Sequence, residues 1–195
     1  MPDPADRMPA LRDEELTTEQ RAALQEITAG PRGAAVGPFV PLLRSPVLMT
    51  RLQKVGEYLR FSSPLERRLF EMAILLVARH WDQQFEWTFH QPLALQAGLA
   101  PAVADAIARD VRPEGMDAGE SAVWDLLDVL QREHAVPDDA YQRAVAVLGE
   151  PGVVELVGAA GYYTTLAMVM TAARTAAPAS PRMPDRTSLA TGERR

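Results

Sequence analysis

Apolar residues recur at helical spacing along most of the chain. In "SPVLMTRLQKVGEYLRF", Val47, Leu48, Leu52, Val55 and Leu59 fall on one stripe, which predicts a helix packing that face inward. Ser45 is placed as its N-cap and Pro46 at its first position, where a missing N–H costs nothing. "SSPLERRLFEMAILLVARHW" repeats the start signal with Ser63, Pro64 and Glu66. From Met72 to Ala78 every residue is apolar, so this helix should be buried on all sides, with Glu71 at the edge of the run. Asp82 offers the cap for a next helix from Gln83 to Ala97, ended by Gly98. Pro92 lies inside it and predicts a kink over 88–92, because its ring removes a donor and crowds the carbonyl four residues earlier.

The same signals mark the flanks. Thr17 with Gln20 is a capping-box pattern for a helix closing at Gly30, and Asp117 with Glu120 opens another, carrying Val123, Leu126, Leu127 and Leu130. "PAVADAIARD" is a short helix, and "DDAYQRAVAVLGE" and "PGVVELVGAAGYYTTLAMVMTAART" complete the series. "GAAVGPFVPLLR", punctuated by Gly and Pro, reads as a loop. No useful alternating β pattern occurs, so the chain is all-α. After Thr175 the composition turns to Ala, Pro, Ser and Arg and predicts a disordered tail. The organisation expected is a helix and loop over 1–44, one helical domain over 45–175 and a tail over 176–195.

Composition narrows the chemistry. The 195 residues can bury a core without staples. A net charge of −6 with no internal basic block speaks against nucleic acid. The count of zero cysteines removes disulfides, thiolate metal sites and thiol nucleophiles. The N-terminus lacks the order of a signal peptide, so a cytoplasmic location is the default. Residues 156–173 are uncharged and approach the length of a membrane span, but their Gly, Ala and Thr content favours a buried central helix and no membrane.

Candidate chemistry sits in "HWDQQFEWTFHQPLALQAGL". Gln83, Glu86 and His90 share one face of a helix with about 3.6 residues per turn. Glu86 and His90 are four apart, close enough for a carboxylate to orient an imidazole as general acid or base. Glu71 joins them if the two helices pack antiparallel. On spacing alone the plain reading, a solvated or structural pair, outweighs a site. His80 and His134 stand at helix ends, where a protonated imidazole favours the dipole, and Trp81 and Trp87 read as core or interface aromatics. Bundle metal centres typically present two Glu-x-x-His motifs; none occurs, and neither metal nor cofactor is expected. No arginine lies on the stripe itself; Arg60, Arg67, Arg68 and Arg79 are candidates to bind a carboxylate by proximity in sequence.

Over about residues 45–173 the sequence resembles the carboxymuconolactone decarboxylase family, which includes the alkylhydroperoxidase D-like proteins. The likeness is strongest over "ERRLFEMAILLVARHWDQQFEWTFHQPLALQAGL", with its E-x-A-I-L-x-V-A-R helix, its EW-x-x-H turn and its AGL helix end. The resemblance implies an alkylhydroperoxidase D-like helical bundle assembling as a trimer or hexamer. In the family's peroxidase branch a Glu, two Cys and a His follow at fixed spacing. On this sequence Glu71 and His90 match the Glu and the His, while Gln83 and Glu86 stand at the two Cys positions. The decarboxylase branch needs neither cysteine nor cofactor. The reading that follows is a cofactor-independent decarboxylase or lyase on a small carboxylated lactone or keto acid. His90 is then the acid–base, Glu86 its orienting carboxylate, Glu71 a second relay carboxylate and Gln83 a donor to a substrate oxygen. A non-catalytic ligand-binding protein is the second reading. A hydroperoxidase-type antioxidant, deprived of both sulfurs, is the third.

Overall fold

The computed structural model describes residues 6–186, and among them every regular element is helical. A short 3-10 turn, Asp13–Glu15, precedes α1 (Thr18–Ala29), α2 (Phe39–Leu42), α3 (Pro46–Phe61), α4 (Arg67–His80), α5 (Gln84–Gln96), α6 (Pro101–Ala108), α7 (Ala118–Glu133) and α8 (Asp138–Ala173). The chain divides into two compact units, Met1–Ser63 with Thr165–Ala176, and Pro64–Thr164 with Ala177–Arg195.

In the first unit α1 opens with the expected box: Thr17 Oγ1 accepts from the Gln20 N–H at 3.2 Å, and Gln20 Oε1 accepts from the Thr17 N–H at 2.9 Å. The stretch read as a loop contains α2, which buries Phe39, Pro41 and Leu42 and packs on α3. On α3 the helix is as expected but its buried face is not. Met49, Gln53, Gly56 and Leu59 face inward, whereas Val47, Leu48 and Val55 of the expected stripe are exposed. Two apolar stripes share this helix, and packing against α1 selects the one that includes Gly56.

The second unit is built around α4, which packs against α5, α6 and α7. Every residue from Leu69 to Arg79 is buried, as the unbroken apolar run requires. The helix starts at Arg67, later than the Ser63–Pro64 signal implied, because the Ser62 and Ser63 N–H groups both donate to Tyr58 O and close α3. Arg68 fastens the start of α4 to the start of α7: it reaches Asp117 Oδ2 at 2.8 Å and Glu120 Oε1 at 2.5 Å. Asp117 and Glu120 also form the capping box of α7, so one cluster orders two helix ends.

Two further differences concern the C-terminal third. The span labelled α8 is kinked at Gly149, whose φ of 70° and ψ of 164° an L side chain rarely adopts, so the two segments read separately are two helical stretches that meet there, as expected. This is the single helix among the described residues long and apolar enough to cross a membrane by length and composition. It is not buried all round, since 33% of its most apolar stretch is covered by the chain. The second difference is the tail. Composition assigned it to disorder, but residues 177–186 lie against the second unit and Met183 is 3% exposed. Gln84 clamps the Met183 backbone in both directions, donating to its carbonyl at 2.7 Å and accepting from its N–H at 3.1 Å. Thr88 Oγ1 donates to Pro181 O at 2.8 Å, and Arg186 Nη1 reaches Asp110 Oδ2 at 2.9 Å. Backbone hydrogen bonds, with one buried methionine, outweigh the polar composition. The expectation for 187–195 lies outside the described residues.

Candidate active site

Two helices of the second unit carry the candidate residues: α4 has Glu71, α5 has Glu86 and His90, and Gln83 stands at the N-cap of α5. Glu71 is 0% exposed, the opposite of a carboxylate at the edge of a helix on the surface. Its Oε2 lies 2.7 Å from His90 Nδ1, so the packing of α4 on α5 joins the two. Its Oε1 pairs with Arg67, one helical turn earlier. A carboxylate on Nδ1 favours the tautomer protonated there and orients the ring.

Glu86 departs from its expected role. Neither of its oxygens has a hydrogen-bond partner among the described residues, His90 included, although the side chain is 3% exposed. The i,i+4 spacing put both groups on one face, and the shorter reach across the helix interface to Glu71 won the imidazole. With its carboxyl stripped of water and unpaired, burial pushes the Glu86 pKa well above the usual carboxylate range. Burial of this unpaired carboxyl thus favours its protonated form.

Gln83 is the N-cap of α5. Its side-chain oxygen accepts from the Phe85 N–H at 3.1 Å. Asp82, the expected cap, has a left-handed φ of 50° and turns its carboxylate to Arg79 and to Arg186, the latter at 3.0 Å. Pro92 lies inside the continuous helix α5.

Aromatic rings enclose the imidazole. Tyr163 stands edge-on to His90 with ring centres 5.1 Å apart, and Phe89 approaches at the same 5.1 Å. Phe70 in turn meets Tyr163 at 5.9 Å. Low-dielectric walls of this kind strengthen every charge interaction inside them. Nothing in the sequence singles out Tyr163, which lies far along the chain and carries no spacing relation to the stripe. Arg67 was selectable: its i,i+4 relation to Glu71 is the signal that singles it out from the neighbouring arginines.

The remaining candidates lie elsewhere. His80 ends α4 half-buried, and burial, Arg186 and Arg132 lower its pKa, so the neutral imidazole is favoured there instead of the protonated one. His134 is an exposed left-handed C-cap of α7. Trp87 is core at 2% exposure, and Trp81 caps the end of α4. Among the described residues no group of three or more His, Asp or Glu is arranged to hold a metal ion.

No family model matches the sequence, and no curated protein does. Solved structures do match. An uncharacterized peroxidase-related protein from Ralstonia eutropha JMP134, described as an alkylhydroperoxidase AhpD core, superposes with a TM-score of 0.70 at 13% identity, over 90% of this chain and 94% of that one. A protein of unknown function from Agrobacterium tumefaciens, provisionally described as an AhpD antioxidant defence protein, gives 0.64 at 19% identity, over 71% of this chain and 96% of that one. The chain thus has the helical fold of the alkylhydroperoxidase AhpD-like proteins.

Proposed function

We propose that this chain is a cofactor-independent decarboxylase or lyase of the carboxymuconolactone decarboxylase type, acting on a small carboxylated lactone or keto acid. One observation carries the reading: a buried imidazole held by Glu71 at 2.7 Å, beside a second buried carboxyl, Glu86, that has no hydrogen-bond partner among the described residues. In such a reaction the carbon–carboxylate bond breaks and carbon dioxide leaves. The electron pair passes into the conjugated carbonyl as an enolate, and carbon then takes up one proton. No electrons enter or leave, so no redox group is required. The dry setting favours loss of the carboxylate charge, and a neutral acid is what the enolate carbon needs. Glu86 fits the proton donor, and His90, positioned by Glu71, fits the group that moves the proton back.

The two AhpD-like neighbours raise the question of peroxide chemistry, but thiol–disulfide turnover needs sulfur pairs and the sequence has no cysteine. A non-catalytic ligand-binding role is favoured by one fact, the near-complete burial of Glu71, Glu86 and His90 within the single chain. A homo-oligomer, trimer or hexamer, is part of the proposal. It is supported by the outward Val154 and Val157 of α8, which are 71% and 39% exposed.

The test is turnover. Purified protein is offered a panel of lactone acids and β-keto acids, and loss of ultraviolet absorbance and release of carbon dioxide are followed. The expected result is turnover by the parent and its loss, by about 100-fold or more, in His90→Ala. Binding without turnover across the panel would leave the ligand-binding role, and an unimpaired His90→Ala would remove His90 from the mechanism.

A further inference from the structure

Residues 177–186 belong to the second unit, and its side chains hold them by their main chain. Gln84 donates to Met183 O at 2.7 Å and accepts from the Met183 N–H at 3.1 Å. Thr88 Oγ1 donates to Pro181 O, and Arg79 Nη1 to Pro184 O, both at 2.8 Å. Arg79 and Thr88 are 2% and 5% exposed, so two buried donors of the folded unit find acceptors on this segment. The segment answers with two side chains. Met183 is buried, and Arg186 reaches Asp82 at 3.0 Å, Asp110 at 2.9 Å and the Arg79 carbonyl at 2.9 Å. Gln84 and Thr88 are four apart on one face of α5, whereas Glu86 and His90 follow them by two residues each, about 200° round the helix. The seat of the segment is therefore separate from the candidate active site.

This is how a peptide is held: donors to its carbonyls, one buried anchor and one charge at its end. Pro178, Pro181 and Pro184 recur at every third position, each with a fixed φ and no N–H to satisfy, which lowers the cost of ordering the segment. Met183 is the one buried residue of 177–186, and 182–185 have no regular structure, so the segment opens at low cost. With it away, Thr88 and the Gln84 amide lose these acceptors and Arg79 keeps Ala108 O and Asp82. A segment with the same carbonyl spacing restores them.

We propose that this seat is a peptide-binding site for a Pro-x-Met-Pro-x-Arg segment, that the chain's own residues 181–186 are a removable occupant, and that the same residues of a second copy are the partner in trans. Every copy carries the segment, and residues 174–180 join it to α8 as a tether of roughly 25 Å when extended, long enough to cross to a neighbour. Exchange of an identical element between copies is a low-cost route to association.

The probe is a synthetic peptide of residues 178–186, tagged at its N-terminus and followed by fluorescence anisotropy against the full chain. Met183→Ser disables the chain's own segment and leaves the seat intact. It should bind the probe at least about 10-fold more tightly than the parent, whose tethered segment competes at an effective concentration on the order of millimolar. Binding should vanish when the probe's methionine is replaced by serine, or when Gln84→Ala and Thr88→Val are added to Met183→Ser. The second copy is tested with a spin label at Arg182→Cys, an exposed position in a chain with no other cysteine. In the chain carrying Gln84→Ala and Thr88→Val the label is loose. Unlabelled Met183→Ser chain should immobilise it, and unlabelled chain lacking Gln84 and Thr88 should not. A probe that leaves Met183→Ser unbound at about millimolar, or that binds regardless of its methionine or of Gln84 and Thr88, overturns the site. A probe that binds while the label stays loose on mixing overturns the second copy as partner. Should Met183→Ser fail to fold by circular dichroism, the same label in the parent decides: excess probe frees it if the seat exchanges its occupant, and a label that does not move overturns the proposal.

Discussion

The two ends of α4 carry the same residue types and do different things. At the N-terminal half Arg67, Glu71 and His90 lie in line, with Glu86 beside them. At the C-terminal end His80 sits among Asp110, Asp128, Arg132 and Arg186. In the first group Glu71, Glu86 and His90 are buried, and Arg67 alone of the four reaches water. The second is open to water and mixed in sign: the Arg186 to Asp82 pair leaves its side chains 42% and 50% exposed. Burial, and not residue identity, separates a place where one proton matters from a place where charges are spread and screened.

The comparison is broken most directly at Glu71. Glu71→Ala leaves the His90 ring without its buried carboxylate, and a loss of about 3 kcal/mol in urea unfolding is expected, with loss of any turnover. Next is Met183→Ala, which tests what fastens the tail at the His80 end. Truncating a methionine that is 3% exposed should cost about 2 kcal/mol, more than Arg186→Ala, if burial and not ion pairing holds residues 177–186.

Glu86 gives a pH-dependent test. Its folded pKa is raised by burial, so above the ordinary value of 4.5 the native chain keeps a proton that the unfolded chain has released. Stability should then fall as pH rises through that window, by about 1.4 kcal/mol per unit until the folded pKa is reached. Glu86→Gln removes this slope. Parent and variant should differ little at the acid edge of the window, and the variant should gain at pH about 7. Equal pH slopes for the two would mean that Glu86 is ionised in the fold. The smallest effects belong to the wet end. Asp82→Asn should change stability by less than about 1 kcal/mol, and salt should shrink the change further. Arg186→Ala should raise the His80 midpoint in an NMR titration of the imidazoles, because one of the cations that lowers it is gone.

The sequence was a good guide to where helices lie and a poorer one to how they face. Capping boxes at Thr17 and Asp117 and the apolar run of α4 formed as read, because those signals are local. The face of α3, the cap of α5 and residues 177–186 depart from the local signals, since each depends on a competitor elsewhere: α1 for the stripe, Arg186 for Asp82, and Gln84 for Met183. At the site, periodicity put Glu86 and His90 on one face but could not say which carboxylate would hold the ring.

By itself the sequence determined an all-helical chain, a central helix with no polar face, a Glu, Gln and His stripe, and the absence of sulfur chemistry from cysteine. These are properties of composition and of spacing within one helix. Tertiary structure alone decided that Glu71 and not Glu86 binds His90, and that Glu86 is buried with no hydrogen-bond partner among the described residues. Each of those depends on desolvation and on distances between helices, which are set by everything packed around the group and leave no mark in local periodicity.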